Sequence, residues 1–121
     1  MAVSAEAPTK AISNEMRAVI KRLWGRGPAF VRVLFANDDT VVVLLTGILT
    51  EAEKSLLAVE RDGAVISQRA ALHDALEPQI RVILETNLGR ETDAFMSGID
   101  LQRDMASVVV TLGGSRSALN M

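Results

Sequence analysis

His73 is the only histidine of the chain and the residue whose type most readily performs acid–base chemistry. Asp74 follows it directly. Glu77 lies four residues after His73, a spacing that places both side chains on the same face of a helix. A general base needs an orienting partner and a substrate within reach, and a metal site needs further ligands. The sequence displays neither arrangement. We therefore interpret His73 as a structural or exposed histidine and expect no catalytic residue and no metal site.

The segment Gly25-Arg26-Gly27 combines two glycines with a guanidinium. Backbone N–H groups beside a positive charge can bind an anion, so these three residues form a candidate anion-binding site. In the alternative interpretation the glycines only end a helix. Gly25 suits the left-handed residue that follows a helix, and Gly27-Pro28 prevents the helix from resuming.

Asp38 and Asp39 could contribute to a site for a hard cation such as calcium, which takes roughly six to eight oxygen ligands. Two adjacent acids supply too few ligands, so a turn is the favoured interpretation. The sequence also lacks the glycine-rich dinucleotide and phosphate-loop signatures. Cysteine is absent, which excludes disulfides and thiolate metal sites. We expect no cofactor.

The elements that position these residues begin with a helix predicted from about Thr9 to Gly25. Its apolar residues recur at helical spacing and form one stripe. They are Ile12, Met16, Val19, Ile20, Leu23 and Trp24. We expect this stripe to pack on the sheet or on a second copy, and a basic helix lying on an anionic membrane is the alternative.

Phe30 to Ala36 and Thr40 to Leu45 are rich in β-branched and large apolar residues, and they flank the turn residues Asn37-Asp38-Asp39. This pattern predicts a β-hairpin. Val41 to Leu45 is apolar without alternation, so we expect both faces of this strand to be covered. Together with part of the first helix, the strand supplies a candidate interface. Its residues are Met16, Ile20, Trp24, Val42 and Leu44.

Thr50 and Glu53 form a capping box that begins a short helix, and Gly63 is predicted to break it. A longer helix is predicted from about Ala64 to Leu88, with Gly89 as its stop. Pro78 lies inside it, which predicts a kink or a split into two helices.

Thr92 to Leu101 and Met105 to Leu112 are predicted to form a second hairpin around Gln102-Arg103-Asp104. The order α-β-β-α-α-β-β predicts a two-layer α+β fold, in which helices pack on an antiparallel four-stranded sheet made of two hairpins. We expect a single domain over residues 10–112, with flexible tails at 1–9 and 113–121.

Composition is that of a globular domain, because 49% of the 121 residues are hydrophobic and 23% are charged. The charge is uneven: residues 1–36 hold six cations against two acids, and the remainder holds seven against thirteen. We expect neither a signal peptide nor a membrane span, since no apolar run approaches ~20 residues. The sequence therefore predicts a soluble, cytoplasmic chain, in which uneven charge could favour self-association.

Several segments stand in a characteristic order. They are Gly25–Pro28 (GRGP), Val31–Val33 (VRV), the acidic turn at Asp38-Asp39, and Thr46–Glu53 (TGILTEAE). With Pro78 and the final hairpin, this order resembles the MpsC family over roughly residues 10–112. These are small bacterial proteins long catalogued as a domain of unknown function and now named for a sodium-translocating, membrane-potential-generating system.

The resemblance implies a cytoplasmic component, associated at the inner face of the membrane with a system for cation flux or inorganic-carbon uptake. It carries over no catalytic residues. It also implies a His and an Asp in the third strand, where this chain has Met96 and Gly98. If those polar residues serve a site, this chain lacks it.

Three functions follow as hypotheses. The first is a non-enzymatic accessory or regulatory subunit, a homodimer with a membrane transport protein as partner. The alternative is a small-molecule or anion-binding domain, or a small enzyme, with its pocket at a dimer interface. A nucleic-acid binder comes last, because the chain lacks the GxxG loop of KH domains and has a pI of about 5.4.

Overall fold

The computed structural model describes residues 6–25 and 27–114. Three helices and four strands follow one another in the order that the sequence predicts. They are α1 (Glu6–Trp24), β1 (Phe30–Asn37), β2 (Thr40–Thr46), α2 (Glu51–Ala58), α3 (Asp62–Leu88), β3 (Thr92–Asp100) and β4 (Met105–Leu112). The predicted α+β class is confirmed. Helix α1 begins at Glu6, so residues 6–9, expected to belong to a flexible tail, are helical.

The strands form one antiparallel sheet in the order β1-β2-β4-β3. Each predicted hairpin is present, and the two hairpins join through β2 and β4. The edges of the sheet are therefore β1 and β3. The helices pack on one face of this sheet, and their apolar stripes meet its inward side chains in a single core.

Helix α1 ends as its sequence predicts. Gly25 has a φ of +83°, and its N–H donates to the carbonyl of Lys21 at 2.9 Å. A left-handed residue at this position closes the helix, and glycine adopts it without steric cost. The apolar stripe of α1 faces inward, so Met16, Ile20 and Trp24 are buried in the core.

Helix α2 begins with the predicted capping box. The Glu53 N–H donates to the Thr50 hydroxyl at 3.2 Å, and the Thr50 N–H donates to the Glu53 carboxylate at 2.9 Å. The predicted break between the two helices is present, but it falls at residues 59–61, so Gly63 lies in the first turn of α3. The chain turns two residues after α2 at Glu60, which has a φ of +60°.

Helix α3 is a continuous helix of 27 residues despite Pro78, so the predicted split into two helices is wrong. Proline removes the helical hydrogen bond to the Asp74 carbonyl. Asp74 and Pro78 both lie on the exposed side of the helix, where water can donate a hydrogen bond to that carbonyl. Leu76 and Ile80 hold the helix in the core on either side of Pro78. Gly89, with a φ of +66°, ends the helix as predicted.

Strand β2 is covered fully on one face only. Val41, Val43 and Leu45 are buried against the helices, whereas Val42 and Leu44 are half-buried on the opposite face. The expectation that both faces are covered is therefore not met within one chain. The helices form one layer, and the other face of the sheet stays open.

Candidate functional site

A buried polar cluster and the open face of the sheet are features of the described chain that have functional potential. The cluster is built on α3, whose inward positions recur as Val65, Arg69, His73, Leu76 and Ile80. Two of these core positions carry polar side chains. Arg69 is 1% exposed and His73 is 7% exposed.

Arg69 forms a buried ion pair with Glu53 of α2. Its Nε donates to Glu53 Oε2 at 2.7 Å, and its Nη2 donates to the Ile48 carbonyl at 2.6 Å. Gln68 and Thr50 also donate to the Glu53 carboxylate. Burial alone would raise the pKa of Glu53, but the hydrogen bonds from Arg69 and Thr50 lower it overall. A carboxylate held by so many donors is a weak base, so this pair fastens α2 to α3.

Trp24 of α1 closes the cluster. The Arg69 guanidinium lies 4.4 Å from the Trp24 ring centroid, and the His73 ring stacks on Trp24 with centroids 5.7 Å apart. His73 Nδ1 lies 3.0 Å from the Ser97 hydroxyl of β3. The cluster therefore ties helices α1 and α3 to an edge strand, a role that stabilises the fold.

Stability should depend on the protonation of His73. Burial and the nearby Arg69 charge lower the pKa of His73 below 6.5, against the opposing effect of Asp74. The unfolded chain therefore binds this proton more readily, and the contribution of neutral His73 to stability, full above about pH 6.5, is lost as pH falls. We expect a lower free energy of unfolding at pH 5.5 than at pH 7.5.

Urea denaturation of the wild type and of His73→Gln across this range measures that dependence. Most of the dependence of the free energy of unfolding on pH should disappear in the variant. The lowered pKa values of Glu53, Glu85 and Asp100 affect stability only at lower pH. An unchanged slope in the variant would show that another group is responsible.

The remaining polar candidates have structural partners or lie apart. Glu77 forms an ion pair with Arg81 at 2.8 Å and not with His73. Asp39 accepts from Arg90 at 2.7 Å, which ties the β1–β2 turn to the loop after α3. Arg26 of the candidate anion site lies outside the described residues. The Gly25 N–H already donates to Lys21, and Gly27 lies beside the stem of Arg17.

Metal ligation finds no support among the residues that the structure describes: no three His, Cys, Asp or Glu side chains there converge to hold an ion. Within those same residues, no helix is long and apolar enough to cross a bilayer.

The candidate interface residues divide into two groups. Met16, Ile20 and Trp24 lie in the core, where they contact other parts of the same chain. Val42 and Leu44 lie on the open face of the sheet, half-buried by their neighbours. An intersubunit surface can thus include the second group, while the first is occupied within the chain.

The open face is a largely apolar surface that one fully apolar row crosses from edge to edge. Strand registers align its outward side chains in rows across all four strands. One row is entirely apolar and consists of Leu34, Val42, Val109 and Met96. The next two rows consist of Arg32, Leu44, Ser107 and Gly98, and of Phe30, Thr46, Met105 and Asp100. We call these three rows the open face.

Several apolar side chains of the open face meet solvent. Phe30 is 68% exposed, Met96 53% and Leu34 42%. Exposed large apolar side chains that share one face of a sheet favour an interaction surface. Met96 and Gly98 stand in the middle of β3 on this face, so the positions where the family resemblance implies His and Asp are apolar here.

Sequence reasoning missed Phe30, Leu34, Met96 and Val109 as surface residues, as well as Arg69 of the buried pair. For Arg69 a signal exists, because Arg69 and His73 interrupt the apolar stripe of α3 at core positions, where an unpaired charge is costly. For the open face the signal requires the strand order, which places an outward apolar residue of each strand in the same row.

One family model matches the chain over residues 5–113, nearly its whole length, and is described as the Na⁺-translocating membrane potential-generating system (MpsC). Searches of the curated proteins and of the solved structures find no significant match.

Proposed function

Since the chain belongs to the MpsC family, we propose that it is a non-enzymatic accessory or regulatory subunit of a Na⁺-dependent, membrane-potential-generating system. In this proposal the protein resides in the cytoplasm and meets the inner face of the membrane through a membrane protein of cation flux or inorganic-carbon uptake. It forms homodimers and acts by contact, not by making or breaking bonds.

The open face is the observation that carries this proposal. An apolar row crosses the full width of the sheet, from Leu34 at one edge to Met96 at the other. Its edge residues, Leu34 and Met96, are 42% and 53% exposed, and such apolar exposure lowers solubility unless another surface covers them. A contact role explains why this face is apolar.

The buried polar cluster supports the same proposal from the other side of the sheet. Glu53 and Arg69 hold each other, and His73 is stacked on Trp24 and bonded to Ser97. These contacts support a structural role for the strongest ionisable candidates of the described chain. Catalysis would instead require a base or nucleophile directed towards a substrate.

Complementation of cells that lack the protein tests this function. We expect such cells to lose Na⁺-dependent membrane potential, measured with a potential-sensitive dye, and the wild-type chain to restore it. Met96→Lys, which places a charge on the open face, should restore less than a tenth of the wild-type signal. Val82→Lys is the matched control, because Val82 is 60% exposed on α3 and Met96 is 53% exposed on β3.

The result of this complementation experiment distinguishes a contact function from a catalytic one. Retained function in Met96→Lys at normal protein level would contradict the proposal. Ser97→Ala removes the His73 partner without touching the open face, and we expect it to restore the potential. An enzyme that uses the His73 cluster predicts the reverse pattern, with loss in Ser97→Ala and retention in Met96→Lys.

A further inference from the structure

The open face carries a projection and a hollow at opposite edges of the sheet. Phe30 projects from β1 and is the most exposed large apolar side chain of this face. At the β3 edge, Gly98 has no side chain and its neighbour Ser107 has a small one. They leave a hollow of about 310 Å³, which Leu44, Asp100 and Met105 also line.

The projection and the hollow lie at the same end of the strands. Phe30 shares a row with Met105 and Asp100, and Gly98 belongs to the adjacent row. The strand order places them on opposite edges, and the registers place Phe30 level with Asp100, which lines the hollow, one row from Gly98. This arrangement is what a two-fold symmetric contact requires.

A two-fold axis parallel to the strands, between β2 and β4, exchanges the edges of two facing sheets. It places β1 of one copy over β3 of the other and keeps every row at its own height. Phe30 of each copy then lies over the hollow beside Gly98 of the other. Aligned sheets of this kind pack about 10 Å apart, which is the reach of interdigitating side chains.

The charged residues of the open face are also placed as this two-fold axis requires. Arg32 on β1 and Asp100 on β3 are the charged members of the three rows, and they occupy opposite edges in adjacent rows. The two-fold axis brings the Arg32 of each copy towards the Asp100 of the other. The alternative axis, perpendicular to the strands, would place β1 over β1 and β3 over β3, which brings like charges to the same edge.

The area is sufficient for a specific contact. The outward face of the whole sheet, which includes the open face, has four strands about 4.8 Å apart and about eight residues long, and its footprint is roughly 500 Å² for each copy. Two copies together bury on the order of 1,000 Å², the lower bound for specific interfaces. The apolar row of Leu34, Val42, Val109 and Met96 forms the centre of this contact.

We propose that a second copy of this chain covers the open face, packed face to face about a two-fold axis parallel to the strands, with Phe30 of each copy in the hollow beside Gly98 of the other. This inference rests on the proposed function in assigning the open face to protein contact. It identifies the partner as a second copy of the chain and the hollow beside Gly98 as the place where Phe30 of that copy binds.

Sedimentation equilibrium tests the dimer. Gly98→Val is the sharpest variant, because a Cβ at Gly98 meets only the Ser107 hydroxyl, at 3.9 Å, so the folded chain accepts the side chain while the hollow is filled. We expect a micromolar dimer for the wild type and at least a tenfold higher dissociation constant for Gly98→Val and for Phe30→Ser. Val82→Ser, which alters an exposed apolar residue of α3, should leave the constant unchanged.

A chain that stays monomeric up to about 100 µM would overturn the proposal, and so would a folded Gly98→Val variant that dimerises like the wild type. Far-UV circular dichroism and thermal melting establish folding for each variant. If Phe30→Ser fails to fold, Gly98→Val decides alone.

Cysteine cross-linking tests the geometry, since the natural chain contains no cysteine. A mixture of Phe30→Cys and Asp100→Cys chains should form a disulfide-linked dimer on mild oxidation, because the axis places these two residues of one row opposite each other. Neither variant alone should do so. Efficient cross-linking of Phe30→Cys with itself would contradict the parallel axis.

The two proposals can fail separately. A monomeric chain whose Met96→Lys variant still loses Na⁺-dependent potential overturns the dimer and leaves the contact function standing. A dimer with the predicted cross-link, whose Met96→Lys variant keeps the potential, supports the dimer and overturns the proposed function.

Discussion

Replacement of Arg69 by methionine is expected to lower the free energy of unfolding by about 3–5 kcal/mol. Methionine preserves much of the volume and the contact with Trp24, but it leaves the Glu53 carboxylate without its partner. Glu53 is 1% exposed, so water cannot replace the guanidinium. An unpaired charge in such a place is among the most destabilising changes that one substitution can make.

Urea denaturation at pH 7.5 measures this loss, and an exposed ion pair provides the control. Lys54 and Glu51 form a pair one turn apart on α2, with side chains 49% and 86% exposed. Glu51→Ala should change the free energy of unfolding by less than about 1 kcal/mol. A combined Glu53→Gln and Arg69→Met variant should recover part of the loss, since it removes the buried charge. A cost below about 1 kcal/mol for Arg69→Met would show that water reaches Glu53.

Replacement of Gly47 by alanine is expected to cost about 2–5 kcal/mol, the sum of two effects. Gly47 has a φ of +67°, where a Cβ costs about 1–2 kcal/mol. That Cβ would also lie 2.6 Å from Ala29 Cβ and 3.2 Å from the Ala29 N, which forces the backbone apart. Overpacking of this kind adds about 1–3 kcal/mol.

Gly89→Ala separates the two effects. Gly89 has a nearly identical φ of +66°, but a Cβ there meets no atom within 4 Å. Its cost should therefore be the conformational part alone, about 1–2 kcal/mol. Thermal or urea unfolding of both variants gives the comparison. Equal losses at the two positions would mean that the close approach of Ala29 to Gly47 relaxes freely.

Local structure could be predicted from the sequence wherever neighbouring residues determine it. The capping box of Thr50 and Glu53 and the helix stops at Gly25 and Gly89 are confirmed, because each depends on contacts within a few residues. The hairpins are confirmed for the same reason. Their strands are apolar and β-branched, and the residues between them favour turns.

The exact position of the break near Gly63 and the continuity of α3 through Pro78 could not be predicted, because tertiary packing overrides local preference. Gly63 sits in the first turn of α3, where the helix is set by the core residues that follow it, beginning with Val65. Pro78 is tolerated because it faces solvent while Leu76 and Ile80 anchor the helix. Neither circumstance can be read from the residue itself.

The site depends on contacts between residues far apart in the chain. Arg69 meets Glu53 across sixteen residues, and the row of the open face joins Leu34 to Met96 through two other strands. Sequence reasoning reached Val42 and Leu44, because an apolar strand needs cover, but it placed Met16, Ile20 and Trp24 on the same interface. These three residues pack in the chain's own core, whereas Val42 and Leu44 lie on the open face.

Thiol labelling in intact cells tests most directly whether the open face is covered in the working protein. Met96→Cys and Val82→Cys each introduce one thiol into a chain without cysteine, at positions 53% and 60% exposed in the single chain. We predict that a maleimide labels the thiol at position 96 at least tenfold more slowly than the thiol at position 82, and that urea makes the two rates equal. Equal rates in the cell would contradict the account, because they would leave the open face bare where the protein acts.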